Sequence, residues 1–124
     1  MVGIVIVSHS QKLAEGVVEI SRMMAKSVPI AAAGGLEDGS LGTSYEKICA
    51  AIDSVYTSAG VIVLMDMGSA VMTTEMVLED LAHENVRMID CPLVEGAVVA
   101  AVESVGGRTL DEIVAKLGTG RKKF

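Results

Sequence analysis

The chain has 124 residues, 51% hydrophobic and 2% aromatic, with 10 Lys and Arg against 16 Asp and Glu for a net charge of −6. That length suits one domain with a substantial core, and the acidic balance argues against nucleic acid as a partner. Every apolar run is broken by Gly, Asp or Glu short of the ~18 residues a membrane span requires. The first run also lacks the basic flank of a signal peptide, so a cytoplasmic protein with no membrane contact is expected. Cys49 and Cys91 have no Cys or His partner nearby and read as small buried hydrophobes, with no disulfide or zinc site. The eight Met read as core filling. Arg121, Lys122 and Lys123 read as a solvated basic tail on an acidic body.

The opening run, Val2-Gly3-Ile4-Val5-Ile6-Val7, is apolar or small throughout and mostly β-branched. It predicts a strand buried on both faces, the pattern of a central parallel strand. It stops at Ser8-His9-Ser10. Ser10 can cap a helix whose apolar stripe is Leu13, Val17, Ile20 and Met24, running to about Lys26. Val28 to Ala33 is the second strand, and Gly34, Gly35, Gly39 and Gly42 mark the long loop after it. Thr43 with Glu46 predicts a capping box, opening a helix with Tyr45, Ile48, Cys49, Ile52 and Val55 on its buried face.

Gly60 ends that helix, and Val61-Ile62-Val63-Leu64-Met65 is a third apolar strand, closed by Asp66-Met67-Gly68-Ser69. The next helix runs through His83. Val86 to Asp90 is a less apolar strand, placed nearer an edge, and Cys91-Pro92 ends it. Leu93 to Val105 is helical despite Gly96, and a second capping box, Thr109 with Glu112, opens a short helix ending at Gly118. The order β-α-β-α-β-α-β-α-α predicts an α/β fold: a three-layer α/β/α sandwich around a mainly parallel four-stranded sheet, one domain over 1–124.

A parallel sheet brings the C-terminal ends of its strands to one edge, where ligands collect. That edge would hold Ser8-His9-Ser10, the glycine loop 34–42, Asp66 to Ser69, and Asp90-Cys91-Pro92. His9 and Asp66 each close an all-apolar strand, and adjacent strands lie about 5 Å apart. A carboxylate on one ring nitrogen fixes the tautomer and leaves the other nitrogen with a free lone pair, able to take up a phosphoryl group. Gly68-Ser69 opens a helix whose N-terminus favours anions. His83 reads as a solvated helix-end residue, and Asp90 as a second acid or a turn residue. No G-x-x-x-x-G-K-[ST], G-x-G-x-x-G or G-x-S-x-G occurs, so neither a nucleotide site nor a hydrolase elbow is indicated.

Val5-Ile6-Val7-Ser8-His9-Ser10 with Leu13-Ala14-Glu15-Gly16 resembles the mannose-family IIA domains of the bacterial phosphoenolpyruvate:sugar phosphotransferase system. Ala33-Gly34-Gly35, Asp66-Met67-Gly68-Ser69-Ala70 and Pro92-Leu93-Val94-Glu95-Gly96-Ala97 resemble, within it, the phosphotransferase subunits of PTS-dependent dihydroxyacetone kinases. The resemblance spans essentially the whole chain. It implies phosphorylation of His9, a hydrogen-bonding acid at Asp66, and a phosphoryl pocket at Ser10, Gly35, Thr43, Gly68 and Ser69. It further implies a homodimer that takes phosphate from phospho-HPr and passes it to ADP on a separate nucleotide-binding subunit, with a third subunit binding dihydroxyacetone. No cofactor or metal of its own is expected. The 124 residues carry no HPr-like or enzyme-I-like segment, functions then expected from other proteins. Two alternatives remain: a sugar-transport IIA domain feeding a IIB partner, and a non-catalytic module in which His9 merely binds an anion.

Overall fold

The computed structural model describes residues 1–120; the basic tail at Arg121, Lys122 and Lys123 lies outside the described residues. The elements are β1 (Gly3–Ser8), α1 (Gln11–Met24), β2 (Ile30–Gly34), α2 (Tyr45–Val55), β3 (Val61–Met65), α3 (Ser69–Leu81), β4 (Val86–Ile89), α4 (Leu93–Val105) and α5 (Leu110–Gly120). The strands form one parallel sheet in the order β2-β1-β3-β4, with β1 inside and β4 at an edge, as the hydropathy of each predicts.

Alternation along the two inner strands builds two cores. Val2, Ile4, Ile6, Ile62 and Leu64 pack with residues of α1, α4 and α5, while Val5, Val7, Val61, Val63 and Met65 pack with α2 and α3. The result is a sheet covered on both faces, which is why β1 and β3 read as unbroken apolar runs. Burying each such side chain contributes roughly 1.5–3 kcal/mol.

Several local expectations are corrected. The stripe Leu13, Val17, Ile20, Met24 is not the buried face of α1: Ala14, Val17, Val18 and Ser21 are, and Leu13, Ile20 and Met24 are exposed. The reason is close packing. A Cβ on Gly34 would lie 2.7 Å from the Ala14 Cβ, so the helix approaches the chain too closely for large side chains. Nor do the methionines fill the core. Met1, Met23, Met24, Met67, Met72 and Met76 are exposed, and only Met65 is fully packed inside, because β-branched residues and Ala already fill the helix–sheet gaps.

The helix starting near 43 is capped by Ser44, whose hydroxyl accepts from the Lys47 amide, and no Thr43–Glu46 box forms. Thr43 turns its hydroxyl to Thr73 instead. α3 stops at Leu81, where Ala82 adopts φ 55°, short of the expected His83. The box at Thr109 and Glu112 is present, with reciprocal bonds of 2.9 and 3.2 Å, and α5 reaches Gly120. Neither cysteine forms a disulfide, and both are half-buried against the two cores. Gly96 has a specific reason to be glycine: a Cβ there would meet the Cys91 Sγ at 2.5 Å.

Candidate functional site

The site is made where β1 and β3 end side by side. Val7 pairs with Met65, and the Asp66 amide continues the ladder to the Val7 carbonyl at 3.1 Å. That register sets Asp66 beside Ser8 and His9. One carboxylate oxygen, Oδ2, accepts the Ser8 hydroxyl at 2.9 Å and the His9 amide at 3.0 Å. The other, Oδ1, lies 3.0 Å from His9 Nδ1. The Asp66 side chain is 11% exposed and that of His9 23%. Burial by itself would raise the Asp66 pKa, but the amide and ring of His9 and the Ser8 hydroxyl outweigh it, holding the carboxyl below its ordinary 3.8.

An ionised Asp66 beside Nδ1 keeps the ring proton on that nitrogen and leaves a lone pair on Nε2. Nε2 faces the Ser69 hydroxyl at 2.8 Å. Ser69 is the first residue of α3, and Gly68 ahead of it gives the helix no side-chain cap. An uncapped helix start therefore adjoins the nitrogen that carries the lone pair, a favourable seat for an anion.

The glycine loop closes the opposite side. The Gly42 amide donates to the His9 carbonyl at 2.9 Å and the Gly35 amide to the Ser8 carbonyl at 3.1 Å. Gly35 has φ 70°, and a Cβ there would press on the Ser40 carbonyl at 3.0 Å, so glycine is required. Lys47 reaches back to the Gly34 carbonyl at 2.9 Å, and Ser44 donates to Glu37 at 2.6 Å, which fixes the loop from α2.

Of the residues singled out from the sequence, His9, Asp66 and Ser69 are in direct contact. Ser10 caps α1 through the Leu13 amide at 3.2 Å, Gly68 precedes α3, and Gly35 lines the loop. Thr43 contacts α3 at Thr73 and makes no hydrogen bond to the ring. Asp90 follows β4, which lies on the far side of β3 from β1. His83 is not simply solvated: its Nε2 lies 2.9 Å from Asp53 Oδ1, and its ring stacks on Tyr56 with centroids 4.1 Å apart.

Sequence reasoning assigns no role to Ser8. It is fully buried at the end of an apolar strand, and a buried hydroxyl needs a partner, which is the signal the sequence offers. A cavity lined by Cys91, Pro92, Glu95, Gly96, Val99, Lys116 and Leu117 lies beside α4 and α5, and His9 is not part of its lining. Among the described residues no group of three His, Cys, Asp or Glu is placed to hold a metal, and no helix is long and apolar enough to cross a membrane.

The site is thus a histidine whose Nδ1 faces a carboxylate, set on the C-terminal rim of a parallel sheet beside an uncapped helix start. Residues 3–115 match the family model described as PTS system fructose IIA component, and the chain belongs to that family. It is 44% identical over 121 residues to the PEP-dependent dihydroxyacetone kinase phosphoryl donor subunit DhaM of Escherichia coli, covering 92% of this chain and 26% of that protein. It therefore spans about a quarter of that relative's length. With the phosphoryl donor subunit DhaM of dihydroxyacetone kinase 2 from Listeria innocua it is 40% identical, covering 94% of this chain and 97% of the relative. The phosphotransferase subunit DhaM of Lactococcus lactis is 36% identical, with 93% and 92% covered. A crystal structure of the unknown-function protein EF1359 superposes with a TM-score of 0.80 at 28% identity, covering 96% and 95% of the two chains.

Proposed function

We propose that this chain is a phosphohistidine carrier that accepts a phosphoryl group from phospho-HPr and passes it to ADP held by the nucleotide-binding subunit of a dihydroxyacetone kinase. The observation that carries the reading is the contact of ionised Asp66 with His9 Nδ1, which leaves Nε2 as the nucleophile. In uptake, the Nε2 lone pair forms a bond to phosphorus as the donor's phosphorus–nitrogen bond breaks, and the donor nitrogen keeps that electron pair. The His9 ring becomes a phosphorylated imidazolium with its proton still on Nδ1, and Asp66 balances that charge. In delivery, a β-phosphate oxygen of ADP attacks the same phosphorus and His9 leaves as neutral imidazole.

The Ser69 hydroxyl, now on Nε2, would turn to a phosphoryl oxygen, and the first amides of α3 would meet the others. Ser10 at the start of α1, Gly35, Thr43 and Gly68 complete the pocket on this reading. No metal or cofactor is assigned to the chain, and the nucleotide resides on the partner. The names of the Escherichia coli, Listeria innocua and Lactococcus lactis relatives support the kinase partner over others. A homodimer, and a further subunit that binds dihydroxyacetone, are proposed on the same family resemblance.

Intact mass spectrometry after incubation with phosphoenolpyruvate, enzyme I and HPr should show one added phosphoryl group, labile to acid and stable to base. His9→Ala should show none while remaining folded. Labelling that persists in His9→Ala, or that is lost in His83→Ala, would overturn the assignment. The family description as a fructose IIA component favours one rival acceptor, a sugar-transport IIB protein. Mixing the phosphorylated chain with each acceptor decides: discharge to ADP only with the kinase subunit supports the reading, and discharge to IIB alone replaces it.

A further inference from the structure

We propose that Ser8 is a positioning residue of this site, whose hydroxyl holds the Asp66 carboxylate in the one orientation that presents Oδ1 to His9 Nδ1. The inference rests on the phosphohistidine reading above and adds to it a residue that neither the family resemblance nor the sequence pattern assigns. Ser8 is fully buried as the last residue of β1. Its oxygen accepts the Ser10 amide at 3.0 Å, and its proton goes to Asp66 Oδ2 at 2.9 Å. The incoming amide occupies a lone pair of the hydroxyl, so the hydroxyl proton is directed at the acid rather than free to rotate.

A carboxylate terminus turns about a broad, two-fold torsion. Without Ser8 it would be held by His9 alone, through one donor on Oδ2, the amide, and through Nδ1 on Oδ1, so its orientation would follow the ring it has to direct. The second donor, arriving from the neighbouring residue, fixes its plane. The Ser8 backbone carbonyl also accepts the Gly35 amide, so one residue ties together the acid, the start of α1 and the glycine loop. The three bonds all end on parts of the site, which a serine merely satisfying its own burial would not require.

Removing the hydroxyl has two consequences. The Asp66 orientation loosens, and the carboxylate loses a donor that stabilises its ionised form, so Asp66 takes up a proton more readily. His9 is the ionisable side chain acting on Asp66; the acids of the facing loop, Glu37 and Asp38, are bound to Ser44 and Ser40.

The test is rapid-quench measurement of His9 phosphorylation by phospho-HPr across pH, with thermal melts of every variant. Ser8→Ala should lower the maximal rate about tenfold, the loss expected for one hydrogen bond to a charged group. The KM for phospho-HPr should not change, and the acid limb of the profile should move to higher pH. Ser8→Thr, which restores a hydroxyl, should recover both. A folded Ser8→Ala with the wild-type rate and limb overturns the proposal. So does a slower variant whose limb has not moved, because packing loss alone would leave the titration in place. If Ser8→Ala does not fold, Ser8→Cys, close in volume and a weak donor, takes its place and is read by the same two outcomes. Failure of the wild-type chain to be phosphorylated at all counts against the carrier reading instead, which keeps the two failures apart.

Discussion

Asp66→Asn is the sharpest perturbation of the proposed chemistry, because the amide is nearly isosteric but cannot serve all three of its neighbours while the ring keeps its proton on Nδ1. At Oδ2 the wild-type carboxylate meets two donors, the Ser8 hydroxyl and the His9 amide, at 2.9 and 3.0 Å. An asparagine must place its carbonyl oxygen there, since its NH₂ would face two donors. The NH₂ group then points at His9 Nδ1, which can accept only in the tautomer that carries its proton on Nε2. That proton blocks the nucleophilic lone pair and donates to Ser69. The variant keeps all three contacts, the one to Nδ1 with its direction reversed, so the fold should survive. It loses both the tautomer and the counter-charge for the imidazolium.

A wrong-tautomer asparagine in the serine-protease triad lowers turnover about 10⁴-fold. The same exchange here should lower phosphoryl uptake by about 10³- to 10⁴-fold, or roughly 4–5.5 kcal/mol of barrier. Rapid-quench kinetics gives the rate, and ¹⁵N NMR of labelled histidine gives the tautomer directly. Uptake within about tenfold of wild type, in a variant whose ring still carries its proton on Nδ1, would refute this account.

The remaining predictions concern stability. Asp66 titrates below its ordinary 3.8 in the folded chain, so its contribution is present above that value and is lost as pH falls through the lower folded pKa. The melting-temperature gap between wild type and Asp66→Asn should therefore close as pH falls below about 4, and a gap that stays constant on further acidification would contradict it. Gly96→Ala sets a methyl 2.5 Å from the Cys91 Sγ and should cost about 1–3 kcal/mol. Adding Cys91→Ala should recover most of the loss in a thermal melt; no recovery would place the strain elsewhere. His83→Ala removes the Asp53 contact and the Tyr56 stack, both partly exposed, and should cost under about 1 kcal/mol in denaturant unfolding. Phosphoryl uptake by that variant should match wild type.

How much of this could be read from the residues divides along one line. The unbroken apolar runs of β1 and β3 demand cover on both faces, and that demand makes the sheet parallel and puts β1 inside. From the parallel sheet it follows that His9 and Asp66 share a rim. What the pattern could not yield is anything set by close approach. The buried face of α1 is Ala14, Val17, Val18 and Ser21 because the chain at Gly34 leaves no room for more, and a hydropathy stripe favours the larger Leu13 and Ile20. Capping is likewise decided over one residue: Ser44, the better cap of the two, takes the Lys47 amide, while Thr43 meets Thr73 in a tertiary contact that hydropathy does not show.

The same division accounts for Ser8. A strand ending in serine looks like the point where burial gives way to solvent, yet Ser8 is buried as completely as the isoleucines before it. The β1–β3 register sets its hydroxyl opposite a carboxylate that a one-residue slip would turn to the other face. On the proposed phosphohistidine reading, a rim built this way could change its acceptor without changing its nucleophile. The acid, its serine and the imidazole are held by strand ends and backbone amides, whereas the exposed Leu41 and Met67 around them hang from the loops. Exchanging those loop side chains should therefore alter which protein receives the phosphoryl group and leave uptake at His9 in place. Parallel measurement of uptake and discharge in Met67→Ala and Leu41→Ser separates the two: a matched fall in both would mean that the loops carry the chemistry as well as the contact.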